Sequence, residues 1–239
     1  MTGLRNYQKN FIKILAEKRA IFFKNNLRLK DGRPTPYFIN FGKINDARSS
    51  WKIANALAYD ALRVKNIDFN IIVGPSYKAS TLANSMAQEL YQTQGKIVRF
   101  DYDRKEAKVH GEATNSKKLF VNNAIEEGDR ILVIDDVFTS MGTKVEIVNK
   151  IRQYIEDHNL ENTTISHILA GVDREQSNRT AFEQEHGIST SAVIGAKDMF
   201  QYLHSSQTPI EINGEMRPMD QETKATIDTY LLDQRQFTR

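Results

Sequence analysis

The sequence of 239 residues contains no cysteine, which excludes disulfide bonds, thiolate catalysis and zinc sites built on cysteine. It has no apolar run near the roughly 20 residues that cross a bilayer. Its first ten residues, MTGLRNYQKN, lack the apolar core of a signal peptide. The net charge of +3 is small and dispersed, which is too weak to argue for nucleic acid by itself and would suit a small polyanionic substrate equally well. We therefore expect a cytoplasmic enzyme that binds neither membrane nor nucleic acid.

The composition is that of an ordinary globular protein, with 40% hydrophobic and 26% charged residues. A chain of this length has ample material for the core of one large α/β domain. No internal repeat, low-complexity tract or interdomain linker interrupts it. We predict a single domain over residues 1–239.

The most informative stretch is RILVIDDVFTSMGTKVEIVN, residues 130–149. Residues 131–134 form a continuous apolar run, which is typical of a strand buried on both faces of a parallel sheet. Asp135 and Asp136 follow directly at its predicted carboxyl end. Apolar residues then recur at helical spacing, so a helix is predicted to begin at Gly142 or Thr143.

This order of strand, acidic pair, small hydroxylated loop and helix suits a phosphorylated sugar. Free N–H groups at a helix N-terminus attract an anion, and Thr139, Ser140 and Thr143 can add hydroxyl donors. Gly142 permits close approach of the backbone. The two acids repel phosphate, so they suit ribose hydroxyls or a metal that the ligand brings. For an isolated acidic pair, a solvated turn and an ordinary N-cap would be the preferred interpretation.

Other segments predict the surrounding elements. Residues 5–24 are predicted as a packing helix, and 27–30 with 37–40 as an edge hairpin around Asp31-Gly32. Ser49 and Ser50 are candidate caps of the next helix. Lys117–Val121 is predicted as a strand of a hairpin that returns into the central strand, and Pro209–Pro218 as a loop.

A second strand–loop–helix unit begins with a predicted strand over residues 69–73, which ends in the loop GPSYKAS. Lys78 in this loop can neutralise phosphate charge or merely solvate the loop, and the residues alone favour neither. A further strand over 165–172 brings Arg174 to a sheet edge where α/β proteins bind ligands. Its guanidinium suits a carboxylate, although pairing with Asp173 or Glu175 is the structural alternative.

The segment DRKEAKVHGE carries Arg104, Lys105, Lys108 and His110 without an apolar stripe. Such a run is usually a solvated loop. A basic loop could also close over a pyrophosphate leaving group, exclude water and balance the developing charge. His110 titrates near neutral pH and is a candidate proton donor, or only a surface residue.

Four separated segments, LRLKDGRPTPYFIN, GPSYKAS, DRKEAKVHGE and LVIDDVFTSMGT, together resemble the orotate phosphoribosyltransferases, with VDRE as weaker support. The last segment by itself resembles the signature that binds phosphoribosyl pyrophosphate (PRPP) in type I phosphoribosyltransferases. Met141 is an extra residue in that loop relative to the family pattern. Val109 replaces a usual acid, and Ala113 with Thr114 replaces a more glycine-rich continuation.

The resemblance implies an α/β type I phosphoribosyltransferase fold, a central mostly parallel sheet flanked by helices. A small hood would come from residues of about 20–45 and 195–215. It implies transfer of the phosphoribosyl group of PRPP to orotate, giving orotidine 5′-monophosphate and pyrophosphate. Mg²⁺ is implied as cofactor, carried mainly by PRPP, with contact to Asp135 or Asp136. A homodimer that shares its catalytic loop between subunits is also implied.

The resemblance also assigns the site residues. The catalytic set is Arg104, Lys105, Lys108 and His110 on the loop, with Asp135 and Asp136 at the ribose hydroxyls. The substrate-binding set is Lys30, Phe38, Ile39 and Arg174 at orotate, Tyr77 and Lys78 at pyrophosphate, and Thr139, Ser140, Met141, Gly142 and Thr143 at the 5′-phosphate.

Two alternatives stay open from the sequence. One is a phosphoribosyltransferase for another base, against which the hairpin and Arg174 argue. The other is a non-catalytic regulator that senses PRPP and binds nucleic acid, against which the slight basic balance and the retained loop cations argue. We expect no fused decarboxylase, because no segment of barrel size remains beyond the matched region.

Overall fold

The computed structural model describes residues 3–29, 32–105 and 119–235. Lys30, Lys108 and His110 therefore lie outside the described residues. The helices and strands, in chain order, are α1 (Asn6–Glu17), β1 (Ile21–Arg28), β2 (Pro34–Ile39), α2 (Ala47–Tyr59), β3 (Ile71–Val73), α3 (Lys78–Gln94), β4 (Arg99–Asp101), β5 (Arg130–Phe138), α4 (Gly142–Asp157), β6 (Thr164–Asp173), α5 (Arg179–His186), β7 (Thr190–Gly195), α6 (Ala196–Ser205), β8 (Ile210–Ile212), β9 (Glu215–Arg217) and α7 (Gln221–Arg235).

The main sheet has five parallel strands in the order β4-β3-β5-β6-β7, which confirms the predicted α/β class. Strand β5 is central and buried on both faces. Leu132 and Ile134 pack into one apolar cluster, whereas Ile131 and Val133 pack into the cluster on the other face. This alternation explains the unbroken apolar run, because each face of the sheet is covered by helices.

A second, four-stranded sheet has the order β2-β1-β8-β9. The predicted edge hairpin is confirmed as β1 and β2, and β1 also pairs in parallel with β8. The predicted loop over Pro209–Pro218 is wrong, because it contains the β8–β9 hairpin. Its turn is Asn213-Gly214, with φ of 51° and 92°. This left-handed pair is what a tight hairpin turn requires, and Asn-Gly supplies it readily.

Other boundaries also differ from the predictions. Helix α1 ends at Glu17, and β1 begins four residues later, so the predicted helix over 5–24 is too long. The cap of α2 is Asp46, whose carboxylate accepts a hydrogen bond from Ser49 N at 2.9 Å, not Ser49 or Ser50. Between residues 119 and 129 there is no strand of a hairpin with β5; Phe120 forms one antiparallel bridge with Asp103.

No helix within the described ranges is long and apolar enough to cross a membrane.

Gly171 on β6 explains how closely α1 and the sheet pack near the carboxyl end of β5. A Cβ at this position would lie 2.7 Å from Phe41 Cζ, 3.0 Å from Asp136 O and 3.1 Å from Phe11 Cζ. Such distances are far inside van der Waals contact, so the neighbours must shift. The backbone of Asp136 therefore packs closely against β6 at a position where a side chain does not fit.

We predict that Gly171→Ala destabilises the protein by about 1–3 kcal/mol, because the added methyl overpacks a filled core. Urea unfolding monitored by circular dichroism measures the loss. Gly3→Ala is the matched control, since a Cβ there meets nothing within 4 Å. Equal stability of the two variants would contradict the packing described here.

Candidate active site

A cavity of about 700 Å³ opens where β3, β5 and β6 reach their carboxyl ends. This edge of a parallel sheet is where α/β proteins bind ligands. Twelve of the predicted site residues line it: Phe38, Ile39, Tyr77, Lys78, Lys105, Asp135, Asp136, Thr139, Ser140, Gly142, Thr143 and Arg174. Arg104 and Met141 are described but do not line the cavity.

The acidic pair lies inside the last part of β5, not after the strand as the sequence suggested. Asp135 is buried, and its Oδ1 accepts a hydrogen bond from Asp136 N at 2.8 Å. Each acid has a lysine nearby: Lys144 Nζ lies 2.5 Å from Asp135 Oδ2, and Lys78 Nζ lies 3.9 Å from Asp136 Oδ2. Burial and the neighbouring Asp135 raise the pKa of Asp136 above that of an ordinary aspartate.

Lys144 is a site residue that the sequence reasoning missed. Its side chain is 4% exposed and lines the cavity. Besides Asp135, its Nζ donates to Val137 O and to Thr143 Oγ1, both at 3.1 Å. A lysine in an amphipathic helix is normally taken for a solvated residue. The one usable signal is its place in the first turn after Gly142-Thr143, next to an acidic strand end.

Helix α4 begins at Gly142, as predicted, and the extra residue Met141 forms its N-terminal boundary. Met141 O accepts hydrogen bonds from Lys144 N and Val145 N, both at 2.9 Å. The Met141 side chain packs against the apolar cluster on the α4 face of the sheet. Its predicted contact with ligand stays a prediction. The free N–H groups of the first turn and the hydroxyls of Thr139, Ser140 and Thr143 border the same end of the cavity.

The loop between β3 and α3 borders the opposite side of the cavity. A Cβ on Gly74 would lie 2.2 Å from Ala79 O, so only glycine allows this tight passage from strand to helix. The Ser76–Tyr77 peptide bond is cis. Tyr77 is 67% exposed, and Lys105 Nζ lies 4.5 Å from the centre of its ring. Thus Lys105, a cation of the basic segment, contacts the β3–α3 loop.

Asp103 joins that loop to the basic segment. Its carboxylate accepts a hydrogen bond from Ser76 N at 2.6 Å and pairs with Lys150 on α4. Its backbone oxygen accepts from Ser76 Oγ. Arg104 is half-buried beside it, and Arg104 N donates to Leu119 O at 2.8 Å. Asp103 therefore fixes both the β3–α3 loop and the start of the basic segment.

Arg174 lies at the end of β6 and is only 2% exposed, yet it reaches the cavity wall. Its Nε donates to Gln176 Oε1 at 3.1 Å and its Nη2 to Thr35 Oγ1 at 2.8 Å. Its guanidinium carbon lies 4.0 Å from the centre of the Tyr37 ring. It forms no ion pair with any carboxylate in the part of the chain that the structure describes. The predicted alternative, pairing with Asp173 or Glu175, is not what the structure has.

Together these elements bring an acidic pair, two helix N-termini, three lysines and a buried arginine around one cavity. Such a set can bind a ligand that carries phosphates at two ends, hydroxyls between them and a further anionic group. It defines a site of the phosphoribosyltransferase type.

Comparison with known proteins agrees with this class. Residues 40–154 match the family model described as a phosphoribosyl transferase domain. The orotate phosphoribosyltransferase of Salmonella arizonae is 31% identical over 206 residues, which cover 84% of this chain and 90% of that protein. The chain therefore belongs to the orotate phosphoribosyltransferase family.

Solved structures show the same fold. Orotate phosphoribosyltransferase of Francisella tularensis superposes with a TM-score of 0.70 at 22% identity, covering 93% of this chain and 98% of that chain. The UMP synthase of Leishmania donovani also gives a TM-score of 0.70 at 22% identity. That match covers 96% of this chain but only 43% of that one, so this chain spans less than half of that protein.

We predict that the Asp103–Lys150 pair contributes to stability. In a double-mutant cycle of Asp103→Asn and Lys150→Met, the coupling energy should be about 1 kcal/mol, because Asp103 is largely buried. Urea unfolding of the four proteins measures it. The exposed pair of Arg130 and Asp68 is the control and should couple by only about 0.3 kcal/mol. Coupling no larger than in this control would contradict the anchoring role of Asp103.

Proposed function

We propose that this protein transfers the phosphoribosyl group of PRPP to orotate, giving orotidine 5′-monophosphate and pyrophosphate. Its place would be in pyrimidine biosynthesis, in the cytoplasm. The proposal rests on family membership and on one observation above all, the buried Arg174 at the cavity wall.

A buried cation is costly unless an anion or several acceptors compensate it. Arg174 has two acceptors and an aromatic face, but no carboxylate partner among the described residues. The carboxylate of orotate is an anion whose planar geometry matches a guanidinium fork. Phe38 and Ile39, on the same cavity wall, offer apolar contacts to the pyrimidine ring.

PRPP fits the remaining part of the cavity wall. The N-terminus of α4, with Thr139, Ser140 and Thr143, supplies N–H and hydroxyl donors for the 5′-phosphate. Asp135 and Asp136 suit the ribose hydroxyls. Lys78, near the N-terminus of α3, suits the pyrophosphate.

The residues present fit Mg²⁺ that arrives with PRPP. No group of three or more metal-binding side chains occurs in the described ranges. Lys144 Nζ already pairs with Asp135 Oδ2, so Asp136 is the carboxylate better placed to contact Mg²⁺. One carboxylate with substrate phosphates is an ordinary Mg²⁺ environment. When bound, the ion would stabilise the charge that develops on the leaving pyrophosphate.

The reaction requires positioning and charge rather than covalent chemistry by the protein. As the bond from ribose C1 to pyrophosphate breaks, positive character grows on the ribose and negative charge on the leaving group. The acidic pair tolerates the first, whereas Lys78 and Lys105 offset the second. Arg104, Lys108 and His110 stay predicted members of the catalytic loop.

The first experiment follows the loss of orotate by absorbance with PRPP and Mg²⁺. Parallel reactions offer uracil, hypoxanthine or adenine. We expect turnover with orotate alone. Turnover with another base would overturn the base assignment, and PRPP binding without any turnover would favour a regulator.

Arg174→Lys provides the matched variant in the same assay. It keeps the positive charge but loses the bidentate fork, so the KM for orotate should rise by about tenfold or more, whereas the KM for PRPP should change little. Equal changes in both constants would show that the variant disturbs the whole site instead of the orotate carboxylate contact.

We also propose that the protein is a homodimer and that the basic loop of each subunit completes the site of its partner. The proposal comes from the family pattern and from Lys105, a residue of this segment that lines the cavity.

This arrangement predicts complementation between two inactive variants. Lys108→Ala and Asp136→Asn should each lower kcat by about a hundredfold or more. After subunit exchange, a mixed dimer has one intact site, so an equal mixture should regain about a quarter of wild-type activity. Sedimentation and activity measured on the same mixture test both points. A dimer without recovery would place the loop in its own subunit's site.

A further inference from the structure

Lys144 has an unusual position for a lysine. It lies in the first turn of α4, where the helix dipole disfavours a cation, and its side chain is almost completely buried. Both features carry a cost in free energy. Its contacts with Asp135, Val137 O and Thr143 Oγ1 compensate that cost within the protein. The lysine therefore depends on the very residues that border the sugar-phosphate end of the cavity.

The contacts of Lys144 connect two parts of the site. Asp135 belongs to β5 and is assigned to the ribose hydroxyls, whereas Thr143 belongs to α4 and is assigned to the 5′-phosphate. One ammonium group donates to both side chains and so sets their separation. It also offsets one of two adjacent negative charges that would otherwise repel a phosphorylated ligand.

We propose that Lys144 is a positioning residue for the ribose 5-phosphate part of the substrate. It holds Asp135 and Thr143 in register and lowers the negative charge of the acidic pair. This inference rests on the proposed function, because it assumes that this end of the cavity receives the sugar phosphate.

The two ends of PRPP should respond differently to the loss of Lys144. Lys78, 3.9 Å from Asp136 Oδ2, lies on the side assigned to pyrophosphate, whereas Lys144 lies at the start of α4. Loss of the Lys144 charge should therefore weaken ligands that contain ribose 5-phosphate and spare pyrophosphate. A pair that served only stability would affect both ligands alike.

The test compares Lys144→Met with the wild-type protein by calorimetric titration of two probes, ribose 5-phosphate and inorganic pyrophosphate with Mg²⁺. The Kd for ribose 5-phosphate should rise by about tenfold or more, the usual effect of removing a charged hydrogen-bond partner. The Kd for pyrophosphate should change by less than about twofold. Lys144→Gln, which is neutral but retains a donor, is the second variant if Lys144→Met does not fold. Lys144→Arg, which retains the charge, should recover part of the affinity.

Lys224→Met is the control for loss of a buried lysine. Lys224 pairs with Asp228 at 2.5 Å on α7 and does not line the cavity. This variant should lose stability but bind both probes as the wild type does.

Two results would overturn the inference: a folded, neutral Lys144 variant that binds ribose 5-phosphate normally, or one that loses both probes to the same extent. The orotate assay tests the proposed function separately. If wild-type protein failed to use orotate, the titrations would still decide the role of Lys144 toward a sugar phosphate.

Discussion

The site depends on one electrostatic constraint, two adjacent carboxylates at the end of a strand buried on both faces. Neither acid can move away from the other, because they are consecutive residues of β5 and this part of the strand is paired with β6. Their charge must be balanced by groups from neighbouring elements. Lys144 from α4 and Lys78 from α3 supply this balance. The helices that follow β3 and β5 thus carry the counterions, and their N-termini face the same cavity.

The burial of β5 on both faces explains which parts of the fold could be predicted from the sequence. A strand buried on both faces must be apolar throughout, so residues 131–134 indicated β5, and the abrupt change to Asp135 indicated a sheet edge. The β8–β9 hairpin was missed although Asn213-Gly214 is a strong turn signal, because the flanking strands have only three residues each. Helix α1 was drawn too long because Ile21 and Phe22 also fit helical spacing, while pairing with β2 and β8 makes them a strand.

The residues of the candidate site also fall into two groups, those that could be predicted from the sequence and those that could not. Residues whose chemistry is local, such as the hydroxyls before α4, could be found from the motif. Residues that act through contacts distant in sequence could not. Lys144 sits among other charged residues of an amphipathic helix, and Asp103 is 27 residues from Ser76. Thr35 meets Arg174 across 139 residues. Periodicity carries no information about such pairs, because they depend on how separate elements pack.

Asp103 anchors the elements that would carry out the proposed chemistry. It fixes the β3–α3 loop through Ser76, the start of the basic segment through its own backbone, and α4 through Lys150. A leaving pyrophosphate at Lys78 would therefore lie beside a basic segment whose first residues are already held in place. Because these first residues are positioned before the ligand arrives, their conformational entropy is not lost on binding, and more of the binding energy remains for stabilising the departing charge.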